Sequence, residues 1–454
     1  MGCFCMNYRQ IAEFCITNID AFDNEKYKIG LNSFKRSRKW DFMDYVIYIL
    51  CNCGKTTTLE IEDFVEKYFG DDDAKMITKQ ACSKQRQKIN PIIYKDMNYA
   101  FVEMVYNSEY YVPYYKGYKV IIIDGSKSEL PNDKQTREEF EVPDDTDKYT
   151  QPALTLFSTC IDFETNFVLD SIITKAGDNE RNLLKQHIES LENHIDFSNT
   201  ILIIDRGYYS LEMLLYLENK GINYVFRLKN NTYIDERYNM KSNDEYLDIK
   251  LNSNRICNIK NEEILKQANE MKNIRRRFVN HKLKSANNKI NDETLLTNLP
   301  PERVSYDELK ELYNNRWEIE LNYEKIKNKL HLENYSGRSE ITISQDFYSQ
   351  LYVFNLFLAL KNEIQNELEE ENKKIRKEKK KEKRPNSNTL MGRLKKRIIK
   401  LIISTREDMV KIFDKIINRS KTDTIDYMFD RESTVRDYKI FTAKYQTNIR
   451  PNCT

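Results

Sequence analysis

Residues 118–125 read YKVIIIDG, four β-branched aliphatic residues in a row that end in an acid and a glycine. A half-exposed strand alternates apolar and polar side chains; a continuous run reads as a central strand buried on both faces. Working outward, ALTLFSTCID (153–162) and NFVLDSIIT (166–174) are two further strands, joined by the polar turn Phe163-Glu164-Thr165. NERNLLKQHIESL (179–191) has helical spacing, and TILIID (200–205) is a second wholly apolar strand ending in Asp. A helix near 210–220 leads to YVFRL (224–228), read as an edge strand. The order predicts a mixed α/β sheet. A strand reached through a helix on a right-handed crossover lies parallel to the first strand. The ends of KVIIID and ILIID then become neighbours, which brings Asp124 and Asp205 together.

The flanks read differently. Residues 1–100 carry helical patterns in RKWDFMDYVIYIL and LEIEDFVEKYF, then MITKQACSKQRQKI, stopped by Asn90-Pro91. In the last segment Lys79, Lys84, Arg86 and Lys88 interleave with Gln80, Ser83, Gln85 and Gln87. These types suit phosphate and base-edge contacts, as in the second helix of a helix-turn-helix-like reader. They equally suit a solvated helix of a small bundle. Residues 229–292 are polar, rich in Asn and Lys, and contain Arg275-Arg276-Arg277. That is too long for a loop in a compact domain and predicts an inserted subdomain. LLTNL (295–299) resumes the core. From 346 the pattern is a helical C-terminal region, opening with one long buried helix. The basic tract 372–384 (NKKIRKEKKKEKR) reads as a solvated helix or linker.

At 454 residues one core is too small for the chain, so three regions are expected: 1–100, 112–345 with the insertion, and 346–454. Lys and Arg number 73 against 71 Asp and Glu, for a net charge of +2, so strong charge is local. The longest apolar run, near 352–360, falls short of the roughly 18 residues a membrane helix needs. MGCFCMNYRQ has no export-signal pattern, so a cytoplasmic protein with no membrane partner is expected. The nine cysteines form no C-x-x-C pair and there are four His, which argues against zinc and for free thiols.

The remaining chemistry lies in YNNRWEIELNYEKIK, residues 313–327. On a helix turning about 100° per residue, Tyr313, Arg316, Glu320 and Lys327 fall within roughly 60° of one another. Leu312, Ile319, Tyr323, Ile326 and Leu330 make an adjacent apolar stripe for burial. Alone, this pattern also fits an amphipathic helix with a solvated face. Asp124 and Asp205 change its weight. Three acids held close repel one another unless a cation neutralises them, and hard divalent ions suit carboxylate oxygens. Two such ions about 3.5–4 Å apart activate one oxygen and stabilise another in phosphodiester cleavage.

Asp124-Gly125-Ser126, Asp205-Arg206-Gly207-Tyr208 and the spaced set Tyr313, Arg316, Glu320 and Lys327 resemble the DDE transposases of bacterial insertion sequences. The resemblance is to the "insertion sequence four" group, marked by D-G-[ST], D-R-G-Y and Y-x2-R-x3-E-x6-K. Trp317, FRLK (226–229), LLTNL and TKQACSKQRQKI fit as well, and Tyr323 stands where Phe is common. The likeness runs from about 30 to 345. It implies an RNase H-like catalytic core with Asp124, Asp205 and Glu320 as catalytic and metal ligands, and two Mg2+ ions replaceable by Mn2+. It further implies cut-and-paste transposition, endonuclease cleavage at terminal inverted repeats, and transfer to target DNA by a homodimer in the nucleoid. Tyr313, Arg316, Lys327, Lys79, Lys84, Arg86, Lys88 and Arg275–Arg277 are the DNA-binding candidates. A silenced transposase-derived DNA-binding regulator and a stand-alone nuclease are the alternatives.

Overall fold

The computed structural model describes residues 6–36, 38–107, 115–142, 151–284, 290–314, 316, 335–377 and 382–427. Its N-terminal region is helical, with α1 (Tyr8–Thr17), α2 (Phe42–Leu50), α3 (Thr57–Tyr68), α4 (Lys79–Arg86) and α5 (Ile92–Asn107). Short polar side chains cap three of these helices. Asn7 and Asp41 close capping boxes on α1 and α2, and Thr78 accepts from Ala81 N at α4. Each satisfies N–H groups that a first turn leaves unpaired.

The strands follow in the predicted order: β1 (Lys119–Glu129), β2 (Leu154–Asp162) and β3 (Val168–Lys175), with a short helix α6 (Lys134–Glu139) after β1. Then come α7 (Glu180–Leu191), β4 (Thr200–Ile204), α8 (Leu211–Asn219) and β5 (Asn223–Arg227). Val120 to Ile123 and Ile201 to Ile204 are at most 1% exposed. Full burial of each such side chain is worth about 1.5–3 kcal/mol, which places β1 and β4 at the centre. The β2–β3 turn is fixed by Asp162, whose Oδ1 accepts from Thr165 N (2.8 Å) and Oγ1 (2.7 Å), with Asn166 at φ 62°. Asn tolerates that left-handed backbone better than most residues.

One eight-stranded sheet results, in the order β3-β2-β1-β4-β5-β8-β7-β6. β1, β4 and β5 run parallel and the other pairings are antiparallel. Two expectations change here. YVFRL is not an edge strand, because β5 lies between β4 and β8 (Ile290–Thr297). The segment 229–292 is not a separate body either. It holds α9 (Ile234–Tyr238), β6 (Asp244–Lys250), α10 (Ser253–Ile256), α11 (Glu262–Glu270) and β7 (Asn273–Lys284), and its strands extend the same sheet. Its polarity suits an outer position: β6, DEYLDIK, is the exposed last strand, and charge there discourages pairing with another chain.

After β8 comes α12 (Tyr306–Asn314), and later the long helix Glu340–Lys377. That helix packs against α1, α2, α5 and the edge strand β3. Asn355, fully buried, accepts from Val168 N (2.8 Å) and donates to Val168 O (2.7 Å), so it occupies the free edge of β3. Three helices (Ser387–Lys395, Ile398–Ile403, Arg406–Lys421) and a small sheet of β9 (Glu382–Pro385) with β10 (Thr424–Tyr427) complete the described residues. The basic tract is not simply a solvated linker: buried Asn372 exchanges two 2.9 Å hydrogen bonds with the Lys383 backbone. N-terminal helices, sheet and C-terminal helices share one continuous hydrophobic core. Among the described residues no helix is long and apolar enough to cross a membrane. Cys15, Cys51, Cys53, Cys82, Cys160 and Cys257 are free thiols.

Candidate active site

β1 and β4 pair in parallel as far as Ile123 and Ile204, and the next residue on each is Asp124 and Asp205. Beyond that point β1 stays bound only to β2, through Glu129 against Leu154. Asp124 is therefore inside its strand rather than at the end of it. The crevice opens where β1 leads away to β2 on one side and β4 leads to β5 on the other. Ligands of open α/β sheets bind at such a switch point, at the carboxyl ends of the strands.

Two cations and a phenol stand over the acids. Arg316 Nη1 lies 3.4 Å from Asp124 Oδ2, and Arg227 Nη1 lies 3.6 Å from Asp205 Oδ1. Tyr313 OH donates to Asp205 Oδ1 at 3.2 Å. Burial raises the Tyr313 phenol well above its ordinary range, against the pull of Arg316, so it remains a donor. Arg227 is itself held by Glu293 (Nε to Oε1, 2.7 Å). A third carboxylate, Glu180 at the first turn of α7, is raised by burial and then by the charge of Asp205. Lys229, Arg181 and Lys127 pull it the other way and mark a basic rim.

Not every expected residue reaches this place. Tyr313 and Arg316 do, but at 1% and 2% exposure they face the acids and not an open surface where DNA could meet them. Glu320 and Lys327 lie outside the described residues, as does Trp317. On α4, Lys79 and Lys84 are exposed; just past its end, half-buried Lys88 donates to Gln85 Oε1 at 3.2 Å. Arg86 is not on the surface: it is buried against Asp346 (2.7 Å) and Gln345 Oε1 (3.1 Å) of the long helix. Of the arginine triplet only Arg275 is exposed. Arg276 pairs with Glu218 at 2.6 Å. Arg277, fully buried, grips Asp244 at 2.7 and 2.6 Å and donates to Leu299 O and Val304 O. A basic run on a strand that pairs on both sides spends its charge inside the protein.

Residues the sequence reading passed over include Arg227, Glu180 and Glu293. Arg227 lay in sight within FRLK, the segment already set beside the family. Glu180 and Glu293 carried no signal, because nothing in a single sequence distinguishes a helix-start or strand acid from any other.

Asp124 and Asp205 offer partly exposed, hard oxygen donors side by side, which fits a divalent ion of the magnesium type. Among the described residues no three His, Cys, Asp or Glu groups are close enough to hold a metal, so a further ligand is required.

No curated protein matches the chain. Among solved structures, the chain is similar to one in the cryo-EM structure of the piggyBac transposase synaptic complex with hairpin DNA, at 11% identity. That match covers 90% of this chain and 82% of that one with a TM-score of 0.41. The family described as the transposase DDE domain matches residues 115–356, more than half of the sequence, and spans both aspartates, Tyr313 and Arg316. The chain belongs to the transposase DDE domain family.

Proposed function

We propose that the protein moves a DNA element by cut-and-paste transposition, cleaving phosphodiesters at terminal inverted repeats and joining the freed ends to target DNA. The observation that carries this reading is the juxtaposition of Asp124 and Asp205 at the mouth between β1 and β4, with Tyr313 and Arg316 turned onto them. The strand order β3-β2-β1-β4-β5 supports an RNase H-like core, and the spaced tyrosine and arginine support the "insertion sequence four" group. Asp124, Asp205 and Glu320 would hold magnesium, with manganese a substitute. When bound, such ions activate an attacking oxygen and stabilise the leaving one.

The chain's own residues do the rest. Arg316 and Tyr313 fix the rotamers of Asp124 and Asp205. Arg227 offsets the charge of Asp205 and is itself oriented by Glu293. Exposed Lys79, Lys84 and Arg275 contact phosphates of the DNA ends, and Lys327 a phosphate nearer the cut. Two protomers bring two ends together.

Glu320→Gln tests the assignment. Strand cleavage of terminal-repeat DNA is expected to disappear while binding of that DNA stays near the parent level. A variant that cuts at close to the parent rate removes Glu320 from the site.

A further inference from the structure

A buried polar chain runs behind the acid pair. Its middle is His187 of α7, fully buried, with Nδ1 2.7 Å from Asp170 Oδ2 and Nε2 2.9 Å from Ser158 Oγ. Asp170, on β3, also accepts from Tyr99 OH at 2.8 Å and pairs with Lys95 Nζ at 3.0 Å, so α5 anchors that end. At the other end Ser158 Oγ lies 3.3 Å from the hydroxyl of Tyr208. Ser, His and Asp in this order suggest a hydrolytic triad, but Ser158 is 0% exposed and no substrate carbonyl could reach its oxygen.

The chain ends under the acids instead. Ser158 is the cross-strand partner of Gly125, the residue after Asp124. Tyr208 closes the turn that begins at Asp205, its N–H donating to Asp205 O at 3.1 Å. A methyl group placed on Gly125 would stand 3.3 Å from Tyr208 OH, so the hydroxyl fills the space beneath that glycine. Glu180 does the same one turn away: a Cβ on Gly207 would fall on its Oε2. Glu180 and His187 are seven residues apart on α7, hence within about 20° of the same direction.

We propose that α7 is a strut for the acid pair: His187, through Ser158 and Tyr208, and Glu180 directly, brace Gly125 and Gly207 and set the separation of Asp124 and Asp205. These are positioning residues, and the inference rests on the metal-dependent reading above. Glycine at 125 is then required by the brace and not by its backbone, since its φ is outside the left-handed region. One hydroxyl-sized group belongs between residues 125 and 208; two crowd the acids apart and none lets them drift.

The test uses the full-length chain carrying Gly125→Ala, Tyr208→Phe, both together, or Ser158→Ala. Three quantities are read: Mn2+ affinity by electron paramagnetic resonance, the Mg2+ concentration giving half-maximal cleavage of pre-bound end DNA, and the melting temperature. Gly125→Ala is expected to weaken Mn2+ binding about tenfold or more, as loss of outer-shell support does elsewhere. Tyr208→Phe should weaken it less, and the double variant should recover most of the loss, because the methyl refills the space the hydroxyl left. Ser158→Ala should reproduce Tyr208→Phe. Additive losses in the double variant overturn the strut. So does a Ser158→Ala chain that melts earlier yet binds Mn2+ like the parent. A parent chain that neither binds Mn2+ nor cleaves overturns the function itself, a result separable from failure of the variants alone.

Discussion

Two carboxylates on neighbouring strands need positive charge beside them, and Arg316 and Arg227 supply it within 3.4 and 3.6 Å. Arg316→Ala is expected to cost about 1.5–3 kcal/mol of stability, the range for hydrogen bonds to charged groups, and to slow cleavage as Asp124 loses its fixed rotamer. Arg316→Lys should restore only part, since a point charge cannot reproduce a planar fork. Thermal melts and single-turnover cleavage check both. The arginine triplet separates structure from binding at the same scale. Arg277→Ala leaves Asp244 without its buried partner and should cost about 3–5 kcal/mol. Arg275→Ala should leave the unfolding free energy within about 0.5 kcal/mol of the parent and weaken DNA binding instead. Equal melting losses for both substitutions would contradict that division.

Among the elements, α5 and α7 meet at Asp170. Burial pushes its carboxyl up, but Lys95, His187 and Tyr99 outweigh burial and hold it well below the usual carboxylate range. A depressed carboxylate contributes stability above its unfolded value, about pH 3.9, and loses it as pH falls toward the folded value. The parent should therefore lose stability steeply below about pH 4, and Asp170→Asn should show a lower but flatter acid limb in urea melts across that window. An unchanged slope would mean Asp170 is not held as a buried anion. The strands that were legible in advance, β1 to β5, are those that carry a buried apolar run, β3 in its first half only. β6 and β7 were not, because edge position and internal ion pairs let them keep charges that read as a loop. Likewise Asp124 and Asp205 were legible from hydrophobic runs that end in acids, whereas Glu180 and His187 matter only through contacts across the fold.

For the whole molecule, one core joins regions that composition separates. Arg9 of α1 pairs with Asp414 of the helix Arg406–Lys421 at 2.5 Å, and Arg86 of α4 with Asp346 of the long helix. A chain ended at 345 loses most of that helix, so it is expected to be unfolded by circular dichroism and not merely unable to dimerise. A fragment of residues 1–100 loses the same partners, so end recognition is better tested in the full chain. There Lys79→Ala and Lys84→Ala should each lower the salt dependence of end binding by about one phosphate contact. Unaltered salt slopes would remove α4 from the DNA interface.

The acid pair itself is tested most directly by single-turnover cleavage of pre-bound terminal-repeat DNA in Mg2+, comparing the parent with Asp205→Asn. End binding is expected to persist while strand cleavage falls by on the order of 10³ or more, as when a group acting at the reacting phosphate is lost. Cleavage by Asp205→Asn at near the parent rate would contradict that expectation.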